Sequence, residues 1–223
     1  MRIKTIMNGP FQENCYLIWE EGADSAVMID PGDEALRLRG ALDDEHLRLG
    51  AILVTHAHLD HVGAVSELRA WSQAVVCFPE QEKELLDWLP ESYRLFGLPA
   101  KAAPEVDVWL PAGIADLSAV LSAEQLGGLE IAVHPTPGHT AGGVSYQIGV
   151  NCFVGDTLFR DSVGRTDLPG GSWSRLQESL QRLMQLPADI VVYPGHGPPT
   201  TIGRERETNL YLQDLQPSNG SHA

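Results

Sequence analysis

Thr55-His56-Ala57-His58-Leu59-Asp60-His61 holds three imidazoles and a carboxylate directly after the apolar run 51–54. Ligand-type side chains packed that densely are costly to bury without a partner, and a metal ion suits all four. Three more candidates follow, each in a Gly/Pro-rich turn after an apolar run: His139 in Pro137-Gly138-His139-Thr140, Asp156 in Gly155-Asp156-Thr157, and His196 in Pro194-Gly195-His196-Gly197. A lone histidine in such a turn is more often a satisfied surface residue, and a lone aspartate a turn-former. Seven in one chain ask for a shared explanation. They are too many for one tetrahedral site and about right for two. Two divalent cations sharing a water would lower its pKa from ~15.7 toward about 7, supplying hydroxide at neutral pH and a counter-charge for an oxyanion. The chemistry expected is hydrolysis of an acyl or related bond.

Elements must bring these residues together. On extended or loop backbone the side chains at 56, 58 and 60 project to one side, and a turn into a following helix swings His61 toward the same cavity. Short apolar runs bounded by turn residues predict strands at 2–6, 15–19, 26–29, 51–54, 74–78 and 105–109, then at 129–133, 143–148, 151–154 and 190–193. Gly149-Val150 reads as a tight hairpin turn. The stripe Trp173, Leu176, Leu180, Leu183, Leu186 predicts a helix over 173–186, with Ser172 as N-cap and Pro187 beyond it. Further helices are expected at 62–71, 80–88 and 203–212, and a weakly patterned one at 34–46. Two groups of mostly antiparallel strands with helices between them point to two packed sheets covered by helices. One domain over 1–215 is expected, with a disordered tail at 216–223.

The net charge of −15 argues against nucleic acid or an anionic membrane as partner, because both need a basic footprint. No apolar stretch approaches the roughly 20 residues of a membrane span. Cys15, Cys77 and Cys152 lie in apolar contexts and form no CxxC pair, which suits reduced thiols in the cytoplasm. His46, His134 and His222 fall outside the ligand pattern and are expected to be solvated or supporting residues.

The order His56, His58, Asp60, His61, His139, Asp156, His196 resembles the metallo-β-lactamase superfamily, whose signature is HxHxDH followed by a distant His, a bridging Asp and a last His. The resemblance implies an α+β fold, an αββα sandwich of two mixed sheets packed face to face with helices outside. It also implies the ligand sets: His56, His58 and His139 on one metal, Asp60, His61 and His196 on the other, with Asp156 bridging. Zinc is the first expectation for the two metals, with iron or manganese also compatible. Asp60 is expected to orient the nucleophile through its second oxygen. Asn14 and Asp30-Pro31-Gly32 match the pattern too, the latter as support beside the metal loops and Asn14 as a turn residue satisfying backbone groups.

Within the superfamily the segments 55–61, 136–142, 155–159 and 193–198, with Gly203-Arg204-Glu205-Arg206, are similar to the glyoxalase II type, hydroxyacylglutathione hydrolases of a compact bacterial branch. The resemblance implies a small-molecule thioester derived from glutathione as substrate. A thiol of pKa about 8.5 leaves as thiolate without a general acid, and none is evident. Where glyoxalase II enzymes carry Gly-Lys-x-Tyr against glutathione, this chain has Gly164-Arg165-Thr166-Asp167. Arg165 can hold a carboxylate, or it can form an internal ion pair among Asp167, Arg204 and Arg206. With 27 residues after His196, the basic C-terminal clamp of longer members is expected to be largely missing. The Gly-Arg-Thr-Asp stretch also resembles glutathione persulfide dioxygenases with a single iron, and lactonases share all seven ligands; both are alternatives.

Overall fold

The computed structural model describes residues 1–213; the tail expected at 216–223, and His222 with it, lies outside the described residues. One sheet joins β1 (Arg2–Asn8), β2 (Glu13–Trp19), β3 (Ser25–Ile29), β4 (Arg48–Leu53), β5 (Val75–Pro79) and β6 (Val108–Leu110) in that order. The chain continues through β7 (Ala132–Pro135), β8 (Val144–Ile148), β9 (Asn151–Gly155), a small hairpin of β10 (Leu158–Phe159) and β11 (Ser162–Val163), then β12 (Val191–Pro194) and β13 (Thr200–Thr201). The second sheet runs β13-β12-β9-β8-β7. Helices α1 (Ala35–Asp44), α2 (Leu59–Val62), α3 (Val65–Ser72), α4 (Lys83–Asp87) and α5 (Leu89–Leu95) lie between strands of the first sheet; α6 (Trp173–Leu183), α7 (Ile202–Thr208) and α8 (Leu210–Gln213) come from the second half.

The period-two alternation of the strands explains the layering. Tyr16, Ile18, Val27, Ile29 and Leu53 point one way and meet Val133, Tyr146, Ile148 and Phe153 of the second sheet. Their neighbours Leu17, Met28 and Ile52 point the other way, onto Leu38, Leu42 and Leu68 of α1 and α3. The far face of the second sheet, Cys152, Val154 and Val192, is covered by Leu176, Leu180 and Leu183 of α6 and Ile202 of α7. Three apolar interfaces between four layers make the αββα sandwich that the resemblance implies.

Expected strands and helices recur with shifted ends. Gly149-Val150 is the two-residue turn between Ile148 and Asn151. The Ser172 side chain accepts from the Arg175 amide at the start of α6. The expectation of mostly antiparallel strands holds for the second sheet, where β9 with β12 is the one parallel pair among the described residues. It is corrected for the first: β3, β4, β5 and β6 pair in parallel, because helical crossovers return the chain in the same direction each time. The helix expected over 80–88 splits into a 3-10 turn, Glu80–Glu82, and α4, and α5 follows unforeseen, started by Pro90 in its first turn. The helix over 203–212 breaks at Asn209, whose backbone is extended and whose side chain donates to Glu205 and to the Ser162 carbonyl.

Candidate metal centre

All seven predicted residues converge, each from the segment following β4, β7, β9 or β12. Strand β4 ends at Leu53 and the chain bends at Thr55, reaching an extended His58, whose φ of −71° and ψ of 148° precede α2. Asp60 and His61 therefore sit in the first helical turn, within α2. The break at His58 separates the pairs: His56 and His58 face His139, whereas Asp60 and His61 face His196. Within each trio the ligand atoms lie within 4.8 Å of one another. Parallel pairing of β9 and β12 brings Pro194 opposite Gly155, and the Gly195 amide donates to the Gly155 carbonyl at 2.8 Å. That seats Asp156 beside the His196 loop.

Asp156 lies between the trios. Its Oδ1 is 3.4 Å from His61 Nε2, and its Oδ2 is 3.6 Å from both His139 Nε2 and His196 Nε2. Asp60 Oδ2 is 3.2 Å from His196 Nε2, and His58 Nδ1 is 2.9 Å from His139 Nε2. His56 Nε2, His61 Nε2 and Asp156 Oδ1 are buried and make no hydrogen bond. Orphaned buried polar atoms cost about 1–3 kcal/mol each, and here they point into one space with a donor set that suits a divalent cation. The opposite ring nitrogens are held: His56 Nδ1 by Thr55 Oγ1 at 3.0 Å, His61 Nδ1 by Asp30 Oδ2 at 3.0 Å, and His139 Nδ1 by the Arg165 carbonyl at 2.7 Å. Imidazoles anchored on the outside, with His56 Nε2 and His61 Nε2 free on the inside, suit metal ligation. Asp30, His56 and His61 also come close enough to form a trio, but the Asp30 carboxylate is already spent on the Thr55 amide at 2.7 Å, the Thr55 hydroxyl at 2.6 Å and His61.

Charge divides the trios. Burial, reinforced by the neighbouring imidazoles, holds His56 well below the ordinary histidine range and brings His58 down to about 3. Burial also lowers His139, with Asp156 opposing it. For His61, burial pulls downward, yet Asp156 and Asp30 together raise it well above the usual value. His196 is raised as well, its burial outweighed by Asp60 and Asp156. Burial alone would raise Asp156, but His61, His139 and His196 drive it far below the carboxylate range.

Two glycines set how close the loops can come. A Cβ at Gly195 would lie 2.2 Å from Asp156 Oδ1 and 2.6 Å from His61 Cε1; one at Gly32 would lie 1.7 Å from the Asp60 carbonyl oxygen. Neither position can carry a side chain without displacing a candidate ligand.

Sequence reasoning misses two supporting residues, Glu82 and Glu13, and places a third, Asn14, in a turn while rightly having it satisfy backbone groups. Glu82 is fully buried and accepts from the Ala57 amide at 2.8 Å and the Gly142 amide at 2.6 Å, clamping the first ligand loop to the His139 loop. Glu13, also fully buried, accepts from Asn8 and approaches His61 Nδ1 at 3.9 Å. Asn14 sits in β2, not in a turn; its side chain donates to the Pro194 carbonyl at 3.1 Å and the Gly197 carbonyl at 2.8 Å, bracketing His196. Arg165 lines the cleft beside the trios, and its guanidinium makes a bidentate pair with Asp167 at 2.7 and 2.7 Å. Arg204 instead binds Asp161 at 2.8 Å and Glu205 at 2.6 Å. His134 bonds Gln147 at 2.8 Å, away from the trios. No helix of the described residues is long and apolar enough to cross a membrane.

The metallo-beta-lactamase superfamily profile matches residues 8–196. The hydroxyacylglutathione hydrolase GloC of Haemophilus influenzae is 37% identical over 216 residues, covering 95% of this chain and 98% of that protein. Among solved structures, the BLEG-1 B3 metallo-beta-lactamase superposes with a TM-score of 0.85 at 38% identity, covering 95% of this chain and 99% of the other. The di-iron-bound form of TTHA1623 gives 0.81 at 39% identity, covering 94% and 100%. With the fold, the loop order and the two facing trios on one side and these similarities on the other, the chain belongs to the metallo-beta-lactamase superfamily.

Proposed function

We propose that this chain is a two-metal thioesterase that cleaves a thioester of the hydroxyacylglutathione type, with residues 1–215 as one domain carrying the whole site. The observation that carries the reading is the position of Asp156, whose two oxygens face histidines of both trios at 3.4 and 3.6 Å. In this reading His56, His58 and His139 hold one metal, Asp60, His61 and His196 hold the other, and Asp156 serves both. Metals held there, zinc first with iron or manganese compatible, would supply a water acidified enough to act as nucleophile near neutral pH and positive charge for a developing oxyanion. Asp60 orients the attacking oxygen through whichever carboxylate oxygen is not engaged in ligation. The leaving thiolate needs no proton donor, which agrees with a cleft whose polar groups are almost all candidate ligands. The name of the Haemophilus relative supports the substrate class. Three buried free thiols, Cys15, Cys77 and Cys152, support a reducing, cytoplasmic setting.

A single-iron glutathione persulfide dioxygenase is the second reading, favoured by the Gly164-Arg165-Thr166-Asp167 stretch. The intact second trio supports the hydrolase over it. Metal analysis of the purified protein, run beside assays with S-lactoylglutathione, a homoserine lactone and glutathione persulfide, tests the choice. Two metals per chain with thioester turnover is the expected result. One iron per chain with oxygen consumed on persulfide would overturn it.

A further inference from the structure

We propose that the thioester bound here carries an apolar acyl group, seated on a wall formed by Trp88, Leu95 and Phe96; this rests on the thioesterase reading above. A cleft of about 630 Å³ adjoins the candidate metal centre and includes His58, Asp60 and His196 in its lining. The α4–α5 segment supplies one wall. Leu95 is 66% exposed, Phe96 52% and Trp88 36%. Large apolar side chains left open beside a polar cluster mark a ligand groove more often than an accident of folding. Phe11, from the β1–β2 turn, extends the wall by meeting Phe96 edge to face at 5.5 Å.

The polar inventory of the cleft points the same way. Apart from the candidate ligands, Ser92 and Arg165 are the polar side chains among the described lining residues. The Ser92 hydroxyl already donates to the Leu89 carbonyl at 2.7 Å. Arg165 already spends Nε and one Nη on Asp167. Arg165 is the one cation of the described lining left to meet a carboxylate of the thiol carrier, and the apolar wall is left for the acyl side, where apolar area is abundant. The reaction is ordinary hydrolysis: the acyl carbon–sulfur bond breaks, a carbon–oxygen bond from water forms, and sulfur leaves as thiolate with its electron pair.

The test uses the metal-replete full chain and N-acetylcysteamine thioesters with acetyl, butanoyl, hexanoyl and octanoyl groups, beside S-lactoylglutathione. The expected result is a kcat/KM that rises about three- to fourfold per methylene through hexanoyl, as burial of apolar area requires. Phe96→Ala and Trp88→Ala should flatten that dependence, and Leu95→Ser repeats the test should either fail to fold. Leu36→Ala, on α1 and 76% exposed, should leave the dependence as it is. A kcat/KM that is flat or falls with chain length while S-lactoylglutathione turns over refutes the apolar acyl group and leaves the thioesterase reading standing. Hydrolysis of none of these thioesters overturns both.

Discussion

Asp156 and Asp60 are the carboxylates that a bound cation would turn from liabilities into ligands. Both are deeply placed, and neither has a Lys or Arg partner among the described residues. Replacing Asp60 or His58 with alanine opens one trio. Metal content should fall toward one ion or fewer per chain, and kcat by several orders of magnitude; near-normal turnover in either variant would refute the site. The trios should also differ in their proton bookkeeping. His56, His58 and His139 are depressed by burial and so are neutral at pH 7, ready to ligate. His61 and His196 are raised by Asp156, Asp30 and Asp60, so in the metal-free protein the second trio keeps protons to higher pH than the first. Metal entering the second trio must displace those protons, so its affinity should fall about tenfold per pH unit for each proton displaced, as pH drops. Calorimetric metal titration in buffers of different ionisation heat checks this: one event should release protons and the other few. Equal release from both events would contradict it.

Strands were legible because alternation is local, and the seven candidate ligands because their residue types are unusual where they stand. The supports were hidden by distance along the chain. Glu82 lies in an acidic stretch that reads as a solvated face, yet its partners are 25 and 60 residues away. Asn14 reaches a carbonyl 180 residues on. Short-range pattern carries no trace of such pairs, and parallel pairing of β3 to β6 is equally invisible to alternation alone. Burial raises the Glu82 carboxyl, against the Ala57 and Gly142 amides that lower it. Glu82→Gln keeps the shape but turns one acceptor oxygen into an amide donor facing a backbone N–H. That change should lower stability by about 1–3 kcal/mol in urea unfolding and loosen both loops, so metal affinity drops with it. Glu82→Asp, which keeps both acceptors on a shorter arm, should recover part of the metal affinity; no difference between the variants would mean Glu82 merely fills space.

The candidate ligands are shared between the two halves of the sandwich. His56, His58, Asp60 and His61 follow β4 of the first sheet; His139, Asp156 and His196 follow strands of the second. Direct polar ties already cross this end: the Tyr146 hydroxyl donates to the Val54 carbonyl at 2.8 Å, the Val144 amide to the Thr55 carbonyl at 3.0 Å, Asn14 to the Pro194 and Gly197 carbonyls, and the Gly142 amide to Glu82. Metal at both trios would stitch the sheets together from opposite sides of the seam, and only the folded chain assembles either trio. Stabilisation by binding then follows mass action: a free metal concentration a thousandfold above Kd adds about 4 kcal/mol per site. For a chain of this size each kcal/mol shifts Tm by roughly 2–4 °C, so stripping one site with a chelator should lower Tm by about 8–16 °C, and stripping both by more. Differential scanning calorimetry with and without chelator, followed by re-addition of zinc or iron, measures the shift and its recovery. A Tm indifferent to the chelator, in protein shown to have lost its metal, would mean that the apolar interface and the protein's own hydrogen bonds hold the seam and that the trios do not bind tightly.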